Sequence, residues 1–198
     1  AAQRLAGKLR EHELLLTYIA NQPFVRAMDP ERCDTSIRDF VRLNPEYVGV
    51  GTRDMQGNLV CSFRKEAPSR QQVLSYPWFI KSLGDAQFQV SDAFLLPIVR
   101  RWTTMLTMPV RDDTGRQTGV VVLPVDLLTL NQSVLGGVPP NTLVTIIDGD
   151  FNILLRSTDP ERWIGQPTTA VLEASMRAQS EGYIRTPGAD GIPRLAVF

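Results

Sequence analysis

Hydrophobic residues recur at helical spacing through the first 28 residues of the chain. Leu5, Leu16 and Ile19 fall on one face of a helix. Pro23 then breaks or bends that helix, because proline has no backbone N–H to donate. The pattern predicts a long amphipathic helix with two open roles: packing on the protein's own sheet, or forming a stalk that rises from a membrane and pairs with a second copy.

A second, shorter helix is predicted to begin at Asp29 and to end before Asn44-Pro45. Asp29 suits the N-cap position, and Pro30 suits the first turn. Its apolar face would consist of three residues at helical spacing: Ile37, Phe40 and Val41. Two helices are therefore expected before the first strand.

An apolar run, an acidic turn and a second apolar run occur twice in the chain. The turns begin at Asp54 and Asp148, which lie 94 positions apart. Asp, Gly and Asn at the reversal tolerate positive φ or bond to their own turn, so each copy predicts a β-hairpin. The spacing is too long for a solenoid repeat and suits two copies of one small α/β domain in tandem.

The rest of the chain divides into short elements between turn signals. Expected elements are a polar loop at 64–75, a short helix at 76–84, a helix at 127–135 and a linker at 136–140. Three further strands are expected at 87–94, 102–110 and 117–126, the last two joined by a turn at 111–115. Helices followed by sequential antiparallel strands predict the α+β class.

Composition and charge exclude some functions. The 198 residues carry 21 basic and 21 acidic side chains and no net charge, which disfavours nucleic-acid binding. No apolar stretch approaches the ~20 residues that span a bilayer, and no signal peptide is present. The chain begins inside a helical pattern and stops inside a strand-like one, so we expect it to be a segment of a longer protein.

Catalytic chemistry has little support in the sequence. The single histidine, His12, has no neighbouring nucleophile and is expected to be a solvated helix residue. No nucleophile elbow, phosphate-binding loop or zinc-protease motif occurs. Asp112-Asp113 suggests a metal or paired-carboxylate site, but a polar hairpin turn explains the pair better. We therefore expect no enzyme activity in this chain, no metal and no cofactor.

Small-molecule binding has more support, because Tyr76, Trp78 and Phe79 follow directly on a polar loop. An aromatic wall with a few polar groups is typical of a ligand pocket, although Trp78 and Phe79 also suit core packing. Asp126 ends a largely buried strand and needs a partner. That partner would be a ligand ammonium, an arginine such as Arg100, or the amides of the helix that Asp126 would cap.

The two cysteines allow two interpretations. In a reducing compartment, Cys33 and Cys61 would be inert core residues. In an oxidising compartment, a disulfide between them would tie the second helix to the first hairpin. With no CxxC motif and one histidine, neither a zinc site nor a redox dithiol is expected.

The order of these motifs resembles the double-Cache sensor domain, a tandem PAS-like fold also called PDC. The first half of the match comprises the long helix, the Asp-x-x-Gly hairpin at Asp54, the Pro-Trp-Phe helix at 77–79, the Pro-Val-x-Asp-x-x-Gly hairpin at 109–115 and the closing Val-Asp-Leu at 125–127. The second half comprises the apolar run before Asp148, Arg156-Ser157, Ile164-Gly165 and 190–194. The resemblance covers nearly the whole chain.

The resemblance implies a long N-terminal helix followed by two tandem PAS-like units, each with a central antiparallel sheet flanked by helices. It divides the chain into a stalk-like helix (1–28), a membrane-distal ligand-binding unit (29–135) and a truncated membrane-proximal unit (136–198). Such domains are periplasmic or otherwise extracytoplasmic parts of bacterial inner-membrane receptors. Flanking helices tether them to the membrane, full-length receptors are dimeric, and the outputs are histidine kinases, diguanylate cyclases or chemoreceptor signalling domains.

The family's binding residues transfer in part. Members that sense amino acids have an Arg two positions before the Trp, an aromatic residue after it, and a closing Asp for the ligand amine. Here Tyr76 replaces that Arg, Leu96 stands where a further Asp is expected, and Arg100 or Arg101 is the candidate replacement cation. The predicted ligand is a small polar or anionic metabolite such as a carboxylate, and the predicted ligand-binding residues are Tyr76, Trp78, Phe79, Asp92, Phe94, Arg100, Trp102, Thr104 and Asp126.

Two further expectations complete the sequence interpretation. Cys33 and Cys61 resemble a cysteine pair of a proteobacterial branch of the family, which implies that they form a disulfide. The competing function is a ligand-free scaffold that binds a periplasmic partner. Exposed Trp102 and Trp163 on one patch, with Tyr76 and Trp78 packed shut, would favour the scaffold.

Overall fold

The computed structural model of the chain describes residues 1–33, 41–64, 66–84, 87–139 and 141–198. Most of the predicted second helix, including Ile37 and Phe40, lies outside the described residues. Its start is described: Asp29 accepts a hydrogen bond from the Glu31 amide and caps a short 3-10 turn, Pro30–Arg32.

Seven α-helices lie entirely within the described residues and are numbered in chain order. They are α1 (Ala2–Ala20), α2 (Pro23–Arg26), α3 (Arg70–Leu74), α4 (Pro77–Gly84), α5 (Leu127–Leu135), α6 (Pro160–Trp163) and α7 (Ala170–Ala178). Ten strands accompany them. They are β1 (Gly51–Asp54), β2 (Leu59–Ser62), β3 (Gln89–Val90), β4 (Phe94–Leu96), β5 (Arg101–Arg111), β6 (Gln117–Asp126), β7 (Thr145–Ile147), β8 (Ile153–Arg156), β9 (Tyr183–Pro187) and β10 (Pro193–Val197).

The large sheet has six strands, all paired antiparallel. Its order is β2-β1-β6-β5-β3, and β4 also pairs with β5. Because side chains alternate along a strand, β6 presents Val121 and Leu123 to one core and Val120 and Val122 to the other. The predicted α+β class, with its antiparallel sheet and long N-terminal helix, is confirmed.

Helix α1 packs on the large sheet through one apolar face. Leu16, Ile19 and Ala20 are buried, and the helix contacts β5 and β6. It ends before Pro23, which instead occupies the first turn of α2. The N-terminal pattern thus produces two helices, the longer of which covers one face of the sheet. No helix among the described residues combines the length and the apolar character needed to cross a bilayer.

Three hairpins of the chain share one turn design. The turns at 54–58, 112–116 and 148–152 each follow a register shift in the strand before them. In each turn the first Asp side chain accepts hydrogen bonds from the amides two and four residues later. The fourth turn residue has positive φ in every case: Gly57, Gly115 and Phe151. The repeat predicted from sequence therefore has a common physical basis in an aspartate that bonds its own turn.

Two segments differ from the expectation. The polar stretch predicted as a loop at 64–75 contains helix α3, because Ser69 and Gln72 form a reciprocal capping box. The strand predicted at 87–94 divides into β3 and β4, which pair with different parts of β5. The loop between them, 91–93, lies near α4.

The C-terminal part of the chain, residues 141–198, contains two two-stranded sheets, β7-β8 and β10-β9. Helix α5 joins this part to the large sheet, since it packs on both β5 and β8. Its Asn131 side-chain oxygen accepts a hydrogen bond from the Arg156 amide at 2.6 Å. The buried Arg156 guanidinium pairs with Asp190 at 2.7 Å.

Cys33 and Cys61 are joined by a disulfide in the structure, with their Cα atoms 5.7 Å apart. Cys61 lies in β2 and is buried, and Cys33 directly follows the 3-10 turn. The bond therefore connects the segment before the large sheet to the edge strand of that sheet.

Candidate functional site

Helix α4 carries an aromatic wall beside the large sheet. The Tyr76 ring lies just before the helix and stacks on Trp78, with centroids 5.9 Å apart and planes 24° apart. Tyr76 also contacts Phe94 of β4 at 5.7 Å between centroids. Phe79 meets Trp78 edge to face at 5.7 Å and is fully buried. Phe79 therefore supports the wall from the core side.

Trp78 has an unsatisfied polar group. The residue is 8% exposed. Of the buried side-chain nitrogens and oxygens that the structure describes, two have no hydrogen-bond partner in the protein: Trp78 Nε1 and His12 Nδ1. Leaving a buried donor unpaired costs about 1–3 kcal/mol.

A cavity of about 360 Å³ adjoins the aromatic wall. We call it the aromatic cavity, and its size falls within the range typical of small-molecule sites. It brings together four of the residues predicted from sequence: Tyr76, Trp78, Asp92 and Phe94. Its other polar or charged lining residues are Lys81, Gln89, Ser91, Thr107 and Asp150.

The loop 91–93 at the rim of the aromatic cavity is held to strand β5. The Ser91 carbonyl accepts a hydrogen bond from the Thr104 hydroxyl at 2.7 Å, and the Ser91 hydroxyl accepts one from the Met105 amide at 2.9 Å. Thr104 was predicted as a ligand contact. It is buried and positions the loop, and the cavity lining does not include it.

A smaller cavity of about 60 Å³ also has Trp78 in its lining. Leu96, the position at which the resemblance implies an acid, lines it and is 2% exposed. Arg53 also lines it, but its guanidinium donates to the Gly57 and Pro68 carbonyls at 2.9 and 2.6 Å. Burial lowers the pKa of Arg53. This space is small, and its second arginine, Arg64, likewise donates to a backbone carbonyl, that of Val48 at 2.6 Å.

Arg100, Trp102 and Asp126 are not in the aromatic cavity. They line a separate space of about 370 Å³ where the large sheet meets α6. Asp126 caps α5, with its Oδ1 accepting from the Thr129 amide at 2.8 Å. Its Oδ2 pairs with Arg101 at 3.3 Å, so the arginine that meets Asp126 is the neighbour of the predicted Arg100. The single pocket expected from sequence is therefore divided in two.

Two other expectations about polar residues have different outcomes. His12, predicted to be solvated, is 1% exposed, and its Nε2 lies 3.4 Å from a Glu46 oxygen. Burial lowers the pKa of His12, although the hydrogen bond to Glu46 opposes that shift. Asp112 lies in its hairpin turn and accepts from the Thr114 hydroxyl, which lowers its pKa. Among the described residues, no group of three or more potential ligands could hold a metal ion.

Sequence reasoning missed Lys81 and Asp150. Lys81 follows the aromatic wall by one helical turn from Trp78, so its spacing was a usable signal. Asp150 belongs to the 148–152 turn, and an acidic residue in a hairpin turn is explained by the turn itself. Asp150 lies 58 positions after Asp92 in the chain. The sequence does not show that the two residues line one cavity, because their proximity depends on how the C-terminal part packs against the large sheet.

Comparison with known proteins identifies the fold. No family model matches the sequence, and no curated protein matches it. Solved structures do match over nearly the whole chain. The extracellular domain of the putative histidine kinase rpHK1S-Z16 has 13% identity and a TM-score of 0.70 over 98% of this chain and 80% of that one.

Two chemoreceptor domains match as well. The Pseudomonas fluorescens CtaA ligand-binding domain, in complex with L-serine, has 15% identity and a TM-score of 0.68 over 98% of this chain and 82% of that one. The Pseudomonas aeruginosa PctC domain, in complex with GABA, has 16% identity and a TM-score of 0.60 over 94% and 81%. The chain therefore has the fold of receptor sensor domains, and the predicted resemblance is confirmed at the level of the fold.

Proposed function

We propose that this chain is the extracytoplasmic ligand-sensing domain of a membrane-bound signalling receptor. The observation that carries the proposal is the aromatic cavity of about 360 Å³, in which the rings of Tyr76, Trp78 and Phe94 adjoin the charged side chain of Lys81. The Lys81 cation would pair with an anionic group of a ligand in this space. The cavity therefore favours a small polar metabolite that carries a carboxylate.

The fold supports a sensing role, because structures with this fold include domains in complex with L-serine, L-valine and GABA. Within the proposal, residues 1–28 form the stalk-like helix, 29–135 the membrane-distal unit that binds ligand, and 136–198 the membrane-proximal unit. The domain lies in the periplasm as part of a homodimer tethered by flanking membrane helices. The output is a cytoplasmic histidine kinase, diguanylate cyclase or chemoreceptor signalling domain, and this chain itself is not an enzyme.

Signalling would pass through the large sheet. Met105 of β5 lines the aromatic cavity, and α1 packs on β5 and β6 from the opposite face. A ligand shifts such a structure only if it binds one of two packings more tightly. Spin-label distances along residues 5–20 of full-length receptor should therefore change when ligand is added. Distances that do not change when ligand is added would show that α1 does not transmit the signal.

A thermal-unfolding screen against organic acids, amino acids, amines and purines tests the ligand site. A compound at about 100 times its dissociation constant should add about 2.7 kcal/mol to the free energy of unfolding. Trp78→Phe and Lys81→Gln should each weaken binding of carboxylate-bearing hits about tenfold or more. Trp163→Phe is the matched control, because that indole packs under Arg156 and Arg162 outside the cavity.

Lys81 is exposed, so its variant keeps the test valid if Trp78→Phe unfolds. Binding that survives both variants unchanged would place the ligand elsewhere. Absence of any stabilising compound would contradict the sensing role. The scaffold alternative gains no support, since Trp102 and Trp163 are both half-buried.

A further inference from the structure

The single histidine of the chain, His12, is buried where α1 contacts the segment 44–48. Its Nε2 lies 3.4 Å from Glu46 Oε1, and its ring meets the Tyr47 ring edge to face at 5.6 Å between centroids. Glu46 is held at the end of β6, because its carbonyl accepts a hydrogen bond from the Asp126 amide at 2.8 Å. His12 therefore connects α1 to the large sheet.

His12 is also the first buried residue of α1. The residues before it are exposed or half-buried. Three residues after it are buried: Leu16, Ile19 and Ala20. A further contact of the N-terminal half is an exposed hydrogen bond from Arg4 to the Gly136 carbonyl at 2.6 Å. The His12 contact thus lies at the boundary between residues 2–11 and the firmly buried part of the helix.

The surroundings of His12 suit a neutral ring. A carboxylate only accepts hydrogen bonds, so Nε2 carries the proton that faces Glu46. The buried Nδ1 has no hydrogen-bond partner among the described residues. Protonation would place a second N–H there, on a ring that has also become charged. A buried donor without an acceptor is costly, and more so on a charged group, so α1 is attached more firmly when His12 is neutral.

The charges near His12 act in both directions. Burial is the largest effect and lowers the pKa of His12, whereas the hydrogen bond and the charge of Glu46 oppose that shift. Lys8 lowers the pKa further, and its Nζ lies 3.7 Å from the same Glu46 oxygen, while Glu11 raises it. Helices α2 and α5 and strands β5 and β6 also pack on α1. Their titratable side chains each have a partner elsewhere: Arg26, Arg101, Arg111 and Asp126.

We propose that His12 is a proton-sensitive latch between α1 and the large sheet. With a neutral ring the helix is docked along its length, and protonation loosens residues 2–11 while the buried residues after His12 stay in place. The response needs no ligand in the aromatic cavity and goes beyond the proposed ligand sensing. Because the undocked helix binds a proton more readily than the docked one, acidification from above pH 6.5 toward the lower folded pKa favours release.

NMR spectroscopy of the isotope-labelled chain tests the latch, since a single histidine gives an unambiguous ring signal. The His12 ring should titrate with a midpoint below 6.5. Below that midpoint, the heteronuclear Overhauser effect of the backbone amides in residues 2–11 should fall, which reports faster backbone motion. Residues 16–20 should keep their values. His12→Asn should abolish the pH-dependent change.

Two further substitutions should move the midpoint in opposite directions. Glu46→Gln removes a carboxylate that favours the charged ring, so the midpoint should fall by about one pH unit. Lys8→Gln removes a nearby cation, so the midpoint should rise. Glu13→Gln, at an exposed acid of the same helix, is the control and should leave the midpoint unchanged. These variants keep the test decisive if His12→Asn does not fold.

Several results would overturn the latch. They are a His12 midpoint at or above 6.5, and a His12 ring that stays neutral until the whole chain unfolds. Unchanged motion of residues 2–11 through the titration, or the same loosening in His12→Asn, would overturn it as well. None of these results depends on a ligand, so the ligand screen decides the sensing function separately.

Discussion

The hairpin turns at 54–58 and 148–152 are built from the same internal hydrogen bonds and differ in what the second aspartate oxygen contacts. Asp54 Oδ2 accepts from the Asn58 side chain at 2.8 Å, within its own turn. Asp148 Oδ2 accepts from the Ala93 amide, 55 positions away. The second oxygen of Asp54 therefore bonds within its own turn, whereas that of Asp148 joins two parts of the molecule.

The two hairpins also differ in how they are held. The first is linked covalently to the segment before it through Cys61 and Cys33. The second is held by the hydrogen bonds from Ala93 to Asp148 and from Gly149 to Asp92, and by Gly165, which donates to the Ile153 carbonyl and lies close to the Trp102 ring. The two turns thus have the same internal hydrogen bonds. What differs is the outer contact: a disulfide joins the first hairpin to the preceding segment, and hydrogen bonds join the second turn to the loop 91–93.

Gly165 should be the most sensitive position at this contact. An alanine Cβ there would overlap the Trp102 indole ring, and Gly165 has φ of +82°. We expect Gly165→Ala to cost about 4 kcal/mol in the free energy of unfolding, from overlap and left-handed strain together. Gly57→Ala is the control, since Gly57 has the same φ but the nearest atom is the Leu74 side chain at 3.2 Å. If Gly165→Ala and Gly57→Ala lower the free energy of unfolding equally in urea, the Trp102 ring can move aside at little cost.

Loss of the disulfide should have the next largest effect. The bond spans 28 positions, and a constraint of this length is worth about 3 kcal/mol in the chain-entropy description. We expect Cys33→Ala/Cys61→Ala to lose about that much stability in urea unfolding. Amide exchange should accelerate more in β1 and β2 than in β7 and β8. Uniform acceleration in both hairpins would contradict the assignment of the disulfide to the first hairpin alone.

Replacing each turn aspartate separates their roles. Asp54→Ala and Asp148→Ala should each cost about 2 kcal/mol, because each removes charge-assisted bonds to turn amides. Only Asp148→Ala should also accelerate hydrogen exchange of the Ala93 amide, whose acceptor is Asp148. Exchange at Ala93 that is equally protected in both variants would mean that the bond between the two parts is dispensable.

The smallest effect concerns pH. Burial lowers the pKa of His12 below 6.5, so the unfolded chain takes up a proton first as the pH falls. The free energy of unfolding should therefore decrease as the pH drops from above 6.5 toward the folded pKa, and His12→Asn should reduce that slope. Urea titrations at several pH values measure it. An unchanged slope in the variant would show that other groups cause it.

The C-terminal part of the chain, residues 141–198, should respond in a different pH range. A hydrogen bond from Arg194 is the main reason that the pKa of Asp190 is lowered from 3.8 to about 2. The stabilisation from this carboxylate is present above its unfolded pKa and is lost as the pH falls through about 2. Asp190→Asn should therefore remove stability at neutral pH and leave the slope near pH 6 unchanged.

Local signals predicted much of the fold. Helix α5 occupies the predicted 127–135, because Asp126 caps a run of apolar residues. All three aspartate-led hairpins were visible in the sequence because their bonds lie within five residues. Helix α3 was missed even though Ser69 and Gln72 formed a legible capping signal, since polar residues surround it.

The candidate site was less predictable, because its geometry depends on distant contacts. His12 is buried and contacts Glu46 and Tyr47, 34 and 35 positions away, so the residues near it in the helix gave no sign of its burial. Asp126 and Trp78 were expected in one pocket, but they lie in different cavities beside the same sheet. Asp150 reaches the aromatic cavity only through the placement of the C-terminal part.

The order of strands in the large sheet has a consequence for how the chain folds. Strand β1 pairs with β6, and Gly51 lies opposite Val122, 71 positions later. During synthesis, β1 and β2 can form their hairpin long before β6 is made. Until β6 pairs with it, β1 has unpaired backbone N–H and C=O groups along one side. Such long-range pairing slows folding. We therefore expect closure of β6 between β1 and β5 to be a late, rate-limiting event.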